Sequence, residues 1–361
     1  MTQKPITDAD TPPISIVLIT LDSHVSTALD HARRQLQRQH PGLRLSLHVA
    51  SEWQDNPQAL ARCKAEIATG DIILATMLFM DEHISAVLPD LQARRENCDA
   101  MIGCIAAGEV IRLTRLGKFS MDGSSRGPMA LLKKLRGSRK PGQSSGAAQL
   151  KMLRRLPRIL KFIPGTAQDV RAYFLTLQYW LAGSGDNLAN MVRFLINRYA
   201  AGPRAVLRGT LPARDPVEHP DAGLYHPRLK RRMTEQLADL PTPPNADGRK
   251  VGVVLMRSYV LAGDTAHYDM VIDALERRGI TPVPAFAAGL DGRPAIDAYF
   301  MKDGKASVDA LLSLTGFSLV GGPAFNDAAA AEDVLAKLDV PYLAAHALEF
   351  QSLDQWAGSS R

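Results

Sequence analysis

The stretch 250–269 joins a buried-strand pattern to side chains that can do chemistry. An apolar, β-branched run leads into a Gly-Asp turn and carries Arg257, Tyr259, Asp264 and His267 behind it. Open α/β sheets bind their ligands beyond the carboxyl ends of their strands. The pattern therefore predicts that a strand at 251–256 delivers these polar groups to one edge of a sheet.

A second polar group precedes this strand, in a loop that holds two histidines and two carboxylates within residues 218–227. Such residues can ligate a divalent ion or shuttle protons. Their spacing matches no compact metal signature, so we assign neither a metal site nor a catalytic residue. Because this loop and the turn after the strand can meet at one sheet edge, we predict that their side chains form a cluster, which is either a binding site or a joint between two domains. Its members are Tyr225, His226, Arg257, Tyr259, Asp264 and His267.

The elements that must position these residues belong to an α/β fold class. Short connections separate alternating patterns of period 2 and period 3.6 in the first 115 residues. This alternation indicates right-handed crossovers and a flavodoxin-like, doubly wound parallel sheet. We predict strands at 14–21, 43–49, 71–78 and 100–106, and helices at 23–39, 57–69 and 82–95.

A second α/β unit is predicted around the chemical residues themselves. Its strands are expected at 251–256, 281–286, 317–321 and 340–343, and its helices at 266–278, 307–314 and 327–338. The chain stops soon after the last of these strands, so we expect this unit to be incomplete. The predicted domain organisation is 1–117 for the flavodoxin-like domain, 118–165 for a basic connector, 166–245 for a helical and loop region, and 246–361 for the second unit.

The positive charge of the chain is concentrated in residues 118–165. This segment has twelve lysines and arginines and one acid, Asp122, whereas the whole chain has a net charge of only +6. Gly137–Gly146 reads as a flexible linker between basic helical patterns at 129–136 and 147–163. Such a segment can be a connector docked on its own protein, or it can contact an anionic membrane surface or an acidic partner. Nucleic acid is not expected as a partner, because few aromatic residues interleave the charges.

Composition indicates a globular cytoplasmic protein that could associate peripherally with membranes through 118–165. The N-terminus lacks a signal-peptide pattern, and no apolar run reaches the roughly 18 residues that span a bilayer. The three cysteines, Cys63, Cys98 and Cys104, form no CxxC pair, which predicts reduced thiols and gives no metal signature. No Walker or GxGxxG sequence supports a nucleotide site.

Four strings of this sequence resemble a known family, the large H subunits of magnesium chelatases, which are related to the large subunit of cobaltochelatase. The resemblance extends over nearly the whole chain, and strings of this length are more specific than any short motif. They are 223–227 (GLYHP), 257–268 (RSYVLAGDTAHY), 275–279 (LERRG) and 314–323 (LTGFSLVGGP).

The resemblance implies a function for the complete enzyme. H subunits bind protoporphyrin IX and insert Mg²⁺ into it, while two AAA+ partner subunits hydrolyse ATP, in the step that opens chlorophyll and bacteriochlorophyll synthesis. H subunits are several times longer than 361 residues, so we expect an N-terminal portion that works with the remainder of the subunit and is not catalytic alone. A cobaltochelatase-type fragment and a non-catalytic module that binds a tetrapyrrole or a partner are the alternatives.

Overall fold

The computed structural model describes residues 12–21, 23–122, 155–322, 325–345 and 357. The predicted linker 137–146, the basic helical pattern at 129–136 and the first half of the pattern at 147–163 lie outside these residues. The described residues up to Val217 group into one compact unit, and those from Glu218 to Ala345 group into a second. Each unit has a sheet of six strands.

The first unit has the strand order β2-β1-β3-β4-β5-β6, in which the first four strands are parallel. This order confirms the predicted doubly wound sheet, and the antiparallel strands β5 and β6 extend it at one edge. The strands are β1 (Ile14–Thr20), β2 (Leu43–Val49), β3 (Ile72–Thr76), β4 (Ala100–Cys104), β5 (Arg115–Leu116) and β6 (Phe119–Ser120).

Helices cover both faces of this sheet. On one face, Val17 and Ile19 pack with buried side chains of the second and third helices. On the other, the first helix packs against the sixth, and the Gln35 amide donates to Asp186 Oδ1 over 2.7 Å. The helices are α1 (Ser26–Gln39), α2 (Pro57–Thr69), α3 (Asp81–Arg94), α4 (Gly108–Arg112), α5 (Ala167–Ala182) and α6 (Gly185–Tyr199).

Local sequence explains where these helices begin and end. Asn56 caps α2 by accepting the Ala59 N–H over 3.1 Å, Pro57 starts the helix, and Gly70 follows its last residue. Ser184 caps α6 in the same way, and the left-handed Gly183 ends α5. The aromatic residues of α5 and α6 are mostly buried, which agrees with helix packing.

The second unit repeats the same arrangement of parallel strands. Its sheet has the order β16-β13-β9-β10-β7-β8, in which β16, β13, β9 and β10 are parallel and β7 and β8 are antiparallel additions. In chain order, β9, β10, β13 and β16 are arranged as β1, β2, β3 and β4 are in the first unit. The strands are β7 (Ala222–Tyr225), β8 (Met233–Thr234), β9 (Lys250–Met256), β10 (Thr281–Ala287), β13 (Ala310–Ser313) and β16 (Tyr342–Ala344).

The described residues of this unit also form two pairs of short strands and four α-helices. Tyr259, Tyr268 and Ile272 pack on one face of the sheet with Val253 and Leu255, and a second cluster of buried residues forms around Val254. The elements are α7 (Arg257–Ala262), α8 (Ala266–Glu276), α9 (Arg293–Tyr299), β11 (Met301–Lys302), β12 (Lys305–Ala306), β14 (Gly321–Gly322), β15 (Phe325–Asn326) and α10 (Ala328–Leu338).

Three local predictions for this region are wrong. Residues 307–314, expected as a helix, contain strand β13, which pairs with β9 on one side and β16 on the other. In the range 317–321, expected as one strand, residues 317–320 form a loop with one isolated bridge from Val320 to Asp291, and Gly321 begins the short strand β14. Residues 222–225, expected in a loop, form β7 because they pair with the edge of β10.

All three cysteines are buried in the first unit. Burial raises the pKa of the Cys63 and Cys104 thiols to about 12 and also raises the pKa of Cys98. The thiols are therefore protonated at neutral pH. None of the three forms a disulfide.

Candidate functional site

The predicted cluster lies in the second unit, around helix α8. Tyr225 is at the end of β7, and its hydroxyl donates to Asp269 Oδ1 on the helix. The Tyr225 hydroxyl oxygen also lies 2.9 Å from Thr265 Oγ1, and the Thr265 hydroxyl can donate to it. Burial and the bond to the Asp269 carboxylate raise the pKa of Tyr225 to about 12. The phenol therefore stays protonated and fastens the strand to the helix.

His226 contacts the opposite end of α8. Its Nε2 lies 3.2 Å from Glu276 Oε1, while its Nδ1 accepts the Arg228 N–H over 3.2 Å. The imidazole is completely buried, and burial lowers the pKa of His226 despite the nearby Glu276 carboxylate. We therefore assign the neutral ring with its proton on Nε2. Arg228 holds the same carboxylate with two hydrogen bonds of 2.8 and 2.6 Å.

His267, in the first turn of α8, belongs to an aromatic group instead. Its ring lies 3.9 Å from the Tyr268 ring and 5.5 Å from the Tyr259 ring, measured between centroids. Since His267 and Glu276 are nine positions apart on the helix, the two histidine contacts are separated by about 13 Å along its axis. The structure therefore does not bring His226 and His267 into one site.

Arg257 and Asp264 make separate contacts. Arg257 donates from Nε to the Pro220 carbonyl over 2.8 Å and from Nη2 to the His219 carbonyl over 3.0 Å, which ties the loop before β7 to the end of β9. Although Asp264 has a residue type that suits a helix cap, Thr265 occupies the N-cap position of α8 and makes no side-chain cap bond. The Thr265 hydroxyl is instead beside Tyr225. The Asp264 N–H donates to the Tyr259 carbonyl over 3.1 Å.

The sequence pattern missed the residues that complete this cluster. Asp269 and Glu276 hold Tyr225 and His226, and Arg232 donates to Asp269 Oδ2 over 2.7 Å while its guanidinium lies 5.7 Å from the Tyr225 ring centroid. Asp269 and Glu276 are seven positions apart, so they lie on one face of the helix. The seven-residue spacing of Asp269 and Glu276 is the sequence feature that could have identified them.

A shallow, open cleft lies where the parallel strands of the second sheet end. It follows the ends of β9, β10 and β13, and its walls include Met256, Leu290 and Phe317. Strand β9 lies between β10, which follows it in sequence, and β13, which comes next, so the chain reverses its winding direction here. Such a switch point is the usual position of a ligand in this fold class. The cleft wall is largely apolar, with the hydroxyls of Thr315 and Ser318 among its residues.

Within the described part of the chain, no group of three or more histidines, cysteines and carboxylates could hold a metal ion. The Glu218–Pro227 stretch therefore forms no such group. No described helix combines the length and apolar character needed to cross a bilayer.

Comparison with known proteins identifies relatives along almost the whole chain. The magnesium-chelatase H subunit of Cereibacter sphaeroides is 54% identical over 349 residues, which are 97% of this chain and 29% of that protein. The corresponding protein of Rhodobacter capsulatus is 49% identical over 345 residues, which are 96% of this chain and 28% of that protein. The chloroplastic magnesium-chelatase protein ChlH of Oryza sativa subsp. indica is 34% identical over 373 residues, which are 97% of this chain and 26% of that protein. The chain thus spans less than a third of the length of these relatives.

Two family models match successive parts of the sequence. Residues 15–174 match a domain of unknown function (DUF3479), and residues 177–361 match CobN/Magnesium Chelatase. Among solved structures, the catalytic subunit of cobaltochelatase from Mycobacterium tuberculosis covers 96% of this chain and 22% of its own at 16% identity, with a TM-score of 0.44. The second model alone matches more than half of the sequence, and the chain belongs to the CobN/magnesium chelatase family.

Proposed function

We propose that this chain acts in a magnesium chelatase as the N-terminal part of the H subunit. The observation that carries the proposal is the 54% identity to the magnesium-chelatase H subunit of Cereibacter sphaeroides over 97% of the chain. The three relatives named above by sequence identity are all magnesium chelatase subunits, which favours magnesium over cobalt. The substrates of the complete enzyme would be protoporphyrin IX and Mg²⁺.

The same proposal includes the partners and the pathway. Two AAA+ subunits would hydrolyse ATP to drive metal insertion, and the product would enter chlorophyll or bacteriochlorophyll synthesis. The protein would work in the cytoplasm, together with the remainder of an H subunit. The isolated chain would not be catalytic, in keeping with its coverage of 29% of the Cereibacter sphaeroides protein.

We assign a structural role within this function to the six residues singled out from the sequence, which are Tyr225, His226, Arg257, Tyr259, Asp264 and His267. Tyr225 and His226 are held protonated and neutral, respectively, and both are bonded to helix α8. Neither group is a free acid or base that could take pyrrole protons. They support the second unit, and the cleft at the ends of β9, β10 and β13 is the better candidate for contact with a tetrapyrrole or with another part of the subunit.

A chimera tests the function directly. The matching N-terminal residues of the Cereibacter sphaeroides H subunit are replaced by this chain, and Mg-protoporphyrin fluorescence is followed with both ATPase subunits, ATP and Mg²⁺. We expect turnover from the chimera and none from the isolated chain. A chimera that folds and binds protoporphyrin but does not form the product would contradict the proposal, and turnover by the isolated chain would contradict its non-catalytic role.

The role of the cluster is tested in the same chimera with His226→Ala and His267→Ala. A structural role predicts lower stability and unchanged porphyrin affinity per folded molecule. Lost affinity at unchanged stability would instead assign the histidines to a binding site.

A further inference from the structure

Residues 155–163 place apolar and basic side chains together on the surface of the first unit. Residues 155–160 are helical and a turn follows them. Leu156 and Leu160, one helical turn apart, are buried and hold this segment on the unit. The side chains on its outer side form what we call the 155–163 surface: Arg155, Arg158, Ile159, Lys161, Phe162 and Ile163.

The apolar residues of this surface are unusually open to solvent. Phe162 is 84% exposed, Ile159 55% and Ile163 42%. Ile159 is in the helix, and Phe162 and Ile163 are in the turn that follows it, so the three exposed side chains lie within five residues of one another. We call these three side chains the stripe. Among the other described phenylalanines, none is more exposed than Phe79, at 51%. A contiguous exposed apolar stripe marks an interaction surface.

Side chains of helix α5 fix the backbone of this segment through hydrogen bonds. Gln168 Nε2 lies 2.8, 3.2 and 2.5 Å from the carbonyl oxygens of Leu160, Lys161 and Ile163, which share its two N–H donors. Arg171 Nε donates to the Pro157 carbonyl over 3.0 Å. Because these bonds fix the backbone, binding through the stripe orders little additional chain and keeps most of its contact energy.

The charges within this segment have one sign. Arg155, Arg158 and Lys161 are exposed, and residues 155–165 contain no acid. Cations beside an exposed apolar stripe suit the interface of an anionic bilayer, where the cations meet lipid headgroups and the apolar side chains enter the boundary of the acyl chains. An acidic protein partner would satisfy the cations but would need its own apolar groove for Phe162.

We propose that the 155–163 surface binds the surface of an anionic lipid bilayer, with Phe162 as the inserted side chain. This goes beyond the proposed function, since it concerns where the chain works and not the reaction. It uses only described residues and does not depend on the conformation of the rest of the basic segment.

Vesicle co-sedimentation of the full chain provides the first test. The probes are phosphatidylcholine vesicles with and without an equal share of phosphatidylglycerol. We expect binding only to the anionic vesicles, with most of it lost at about 0.5 M salt. Phe162→Ser should lower the partition coefficient about tenfold, and the double variant R155Q/K161Q about twentyfold.

Matched controls come from the second unit. Met270 is 73% exposed, so Met270→Ser removes an equally open apolar side chain. The exposed Lys302 and Lys305 supply the charge-matched double variant K302Q/K305Q. Both controls should bind vesicles as the unchanged chain does. Equal losses in controls and test variants, or no binding of the unchanged chain to anionic vesicles, would overturn the proposal.

A second measurement reports insertion itself and does not depend on how well a variant folds. The emission that Phe162→Trp adds to that of the three native tryptophans, obtained by subtracting the spectrum of the unchanged chain, should shift to shorter wavelength with anionic vesicles and be quenched by brominated acyl chains. Vesicle binding without this shift would overturn the assignment of the surface.

If Phe162→Ser bound vesicles normally but lost its binding to the ATPase subunits, the surface would belong to a protein partner. Chelation by the chimera in lipid-free solution should be unaffected by Phe162→Ser, so this proposal and the proposed function can fail separately.

Discussion

Tyr225 connects strand β7 to helix α8 through a single phenol oxygen. Replacing it with phenylalanine keeps the ring in the core but leaves Asp269 and Thr265 without this partner. We expect Tyr225→Phe to lower the free energy of unfolding of the second unit by about 1–2 kcal/mol. Urea denaturation measures the loss. Tyr342→Phe, at a tyrosine that is 37% exposed, is the matched control and should change stability by less than about 0.5 kcal/mol.

From the burial of His226 we predict that the second unit becomes less stable in mild acid. Burial lowers the pKa of His226 in the folded state, against the opposing carboxylates of Glu276 and Asp269, so the unfolded chain takes up a proton first as the pH falls. The contribution of the neutral ring is therefore complete above the unfolded pKa of 6.5 and is lost as the pH falls through the lowered folded value.

The pH effect is measured as the urea midpoint between about pH 8 and pH 5, which brackets the unfolded pKa of histidine. His226→Gln keeps a donor and an acceptor but cannot be protonated, so it should flatten the pH dependence in this range. An unchanged slope in that variant would assign the dependence to other groups.

The sequence did not predict the partners of these residues. The six cluster residues all lie in the second unit, and Tyr225 and Tyr259 share one buried cluster. The separation of His226 from His267 follows from their contacts at opposite ends of α8. That distance depends on which turn of the helix faces the end of β7, and the local sequence does not encode this pairing.

Strand β4 depends on a glycine at the point where helix α4 crosses it. A Cβ on Gly103 would lie 2.0 Å from the Val110 carbonyl oxygen. The Gly103 N–H and C=O are also both bonded to the buried Thr114 hydroxyl, over 3.0 and 3.1 Å. There is thus no room for a side chain without moving the backbone of α4.

We therefore expect Gly103→Ala to destabilise the first unit by at least about 3 kcal/mol. Gly108→Ala is the matched control, because its Cβ would meet only the end of the flexible Arg112 side chain, at 3.4 Å. Thermal unfolding followed by circular dichroism measures both variants. Similar losses in the two would show that the close approach of Gly103 to Val110 is not what limits stability.

Element predictions succeed where strands are long and helices are bounded by caps. The sequence places helix α2 at its observed bounds because Asn56, Pro57 and Gly70 mark them. Residues 307–314 mislead because Val308, Leu311 and Leu312 have helical spacing. A four-residue strand is ambiguous at that length, and pairing with β9 and β16 decides its conformation.

The two units of the molecule have separate hydrophobic cores and the same order of four parallel strands. The alternation of strand and helix patterns is sufficient to predict this architecture. The antiparallel pairs β5–β6 and β7–β8 escape prediction because strands this short carry too little periodicity.

Separate cores predict that the chain unfolds in two steps. Differential scanning calorimetry should give two transitions. Gly103→Ala should shift one of them and Tyr225→Phe the other, because each residue lies in a different unit. A single transition that both variants move together would contradict independent unfolding.

Because of where the cysteines lie, thiol modification can measure how often the first unit opens. All three thiols of the sequence lie in the first unit. A maleimide reagent reacts with the thiolate, so it can modify these buried, protonated groups only when the first unit opens. The rate of alkylation under native conditions therefore reports openings of that unit alone, without mutation or attached dye, and Gly103→Ala should accelerate it while Tyr225→Phe leaves it unchanged.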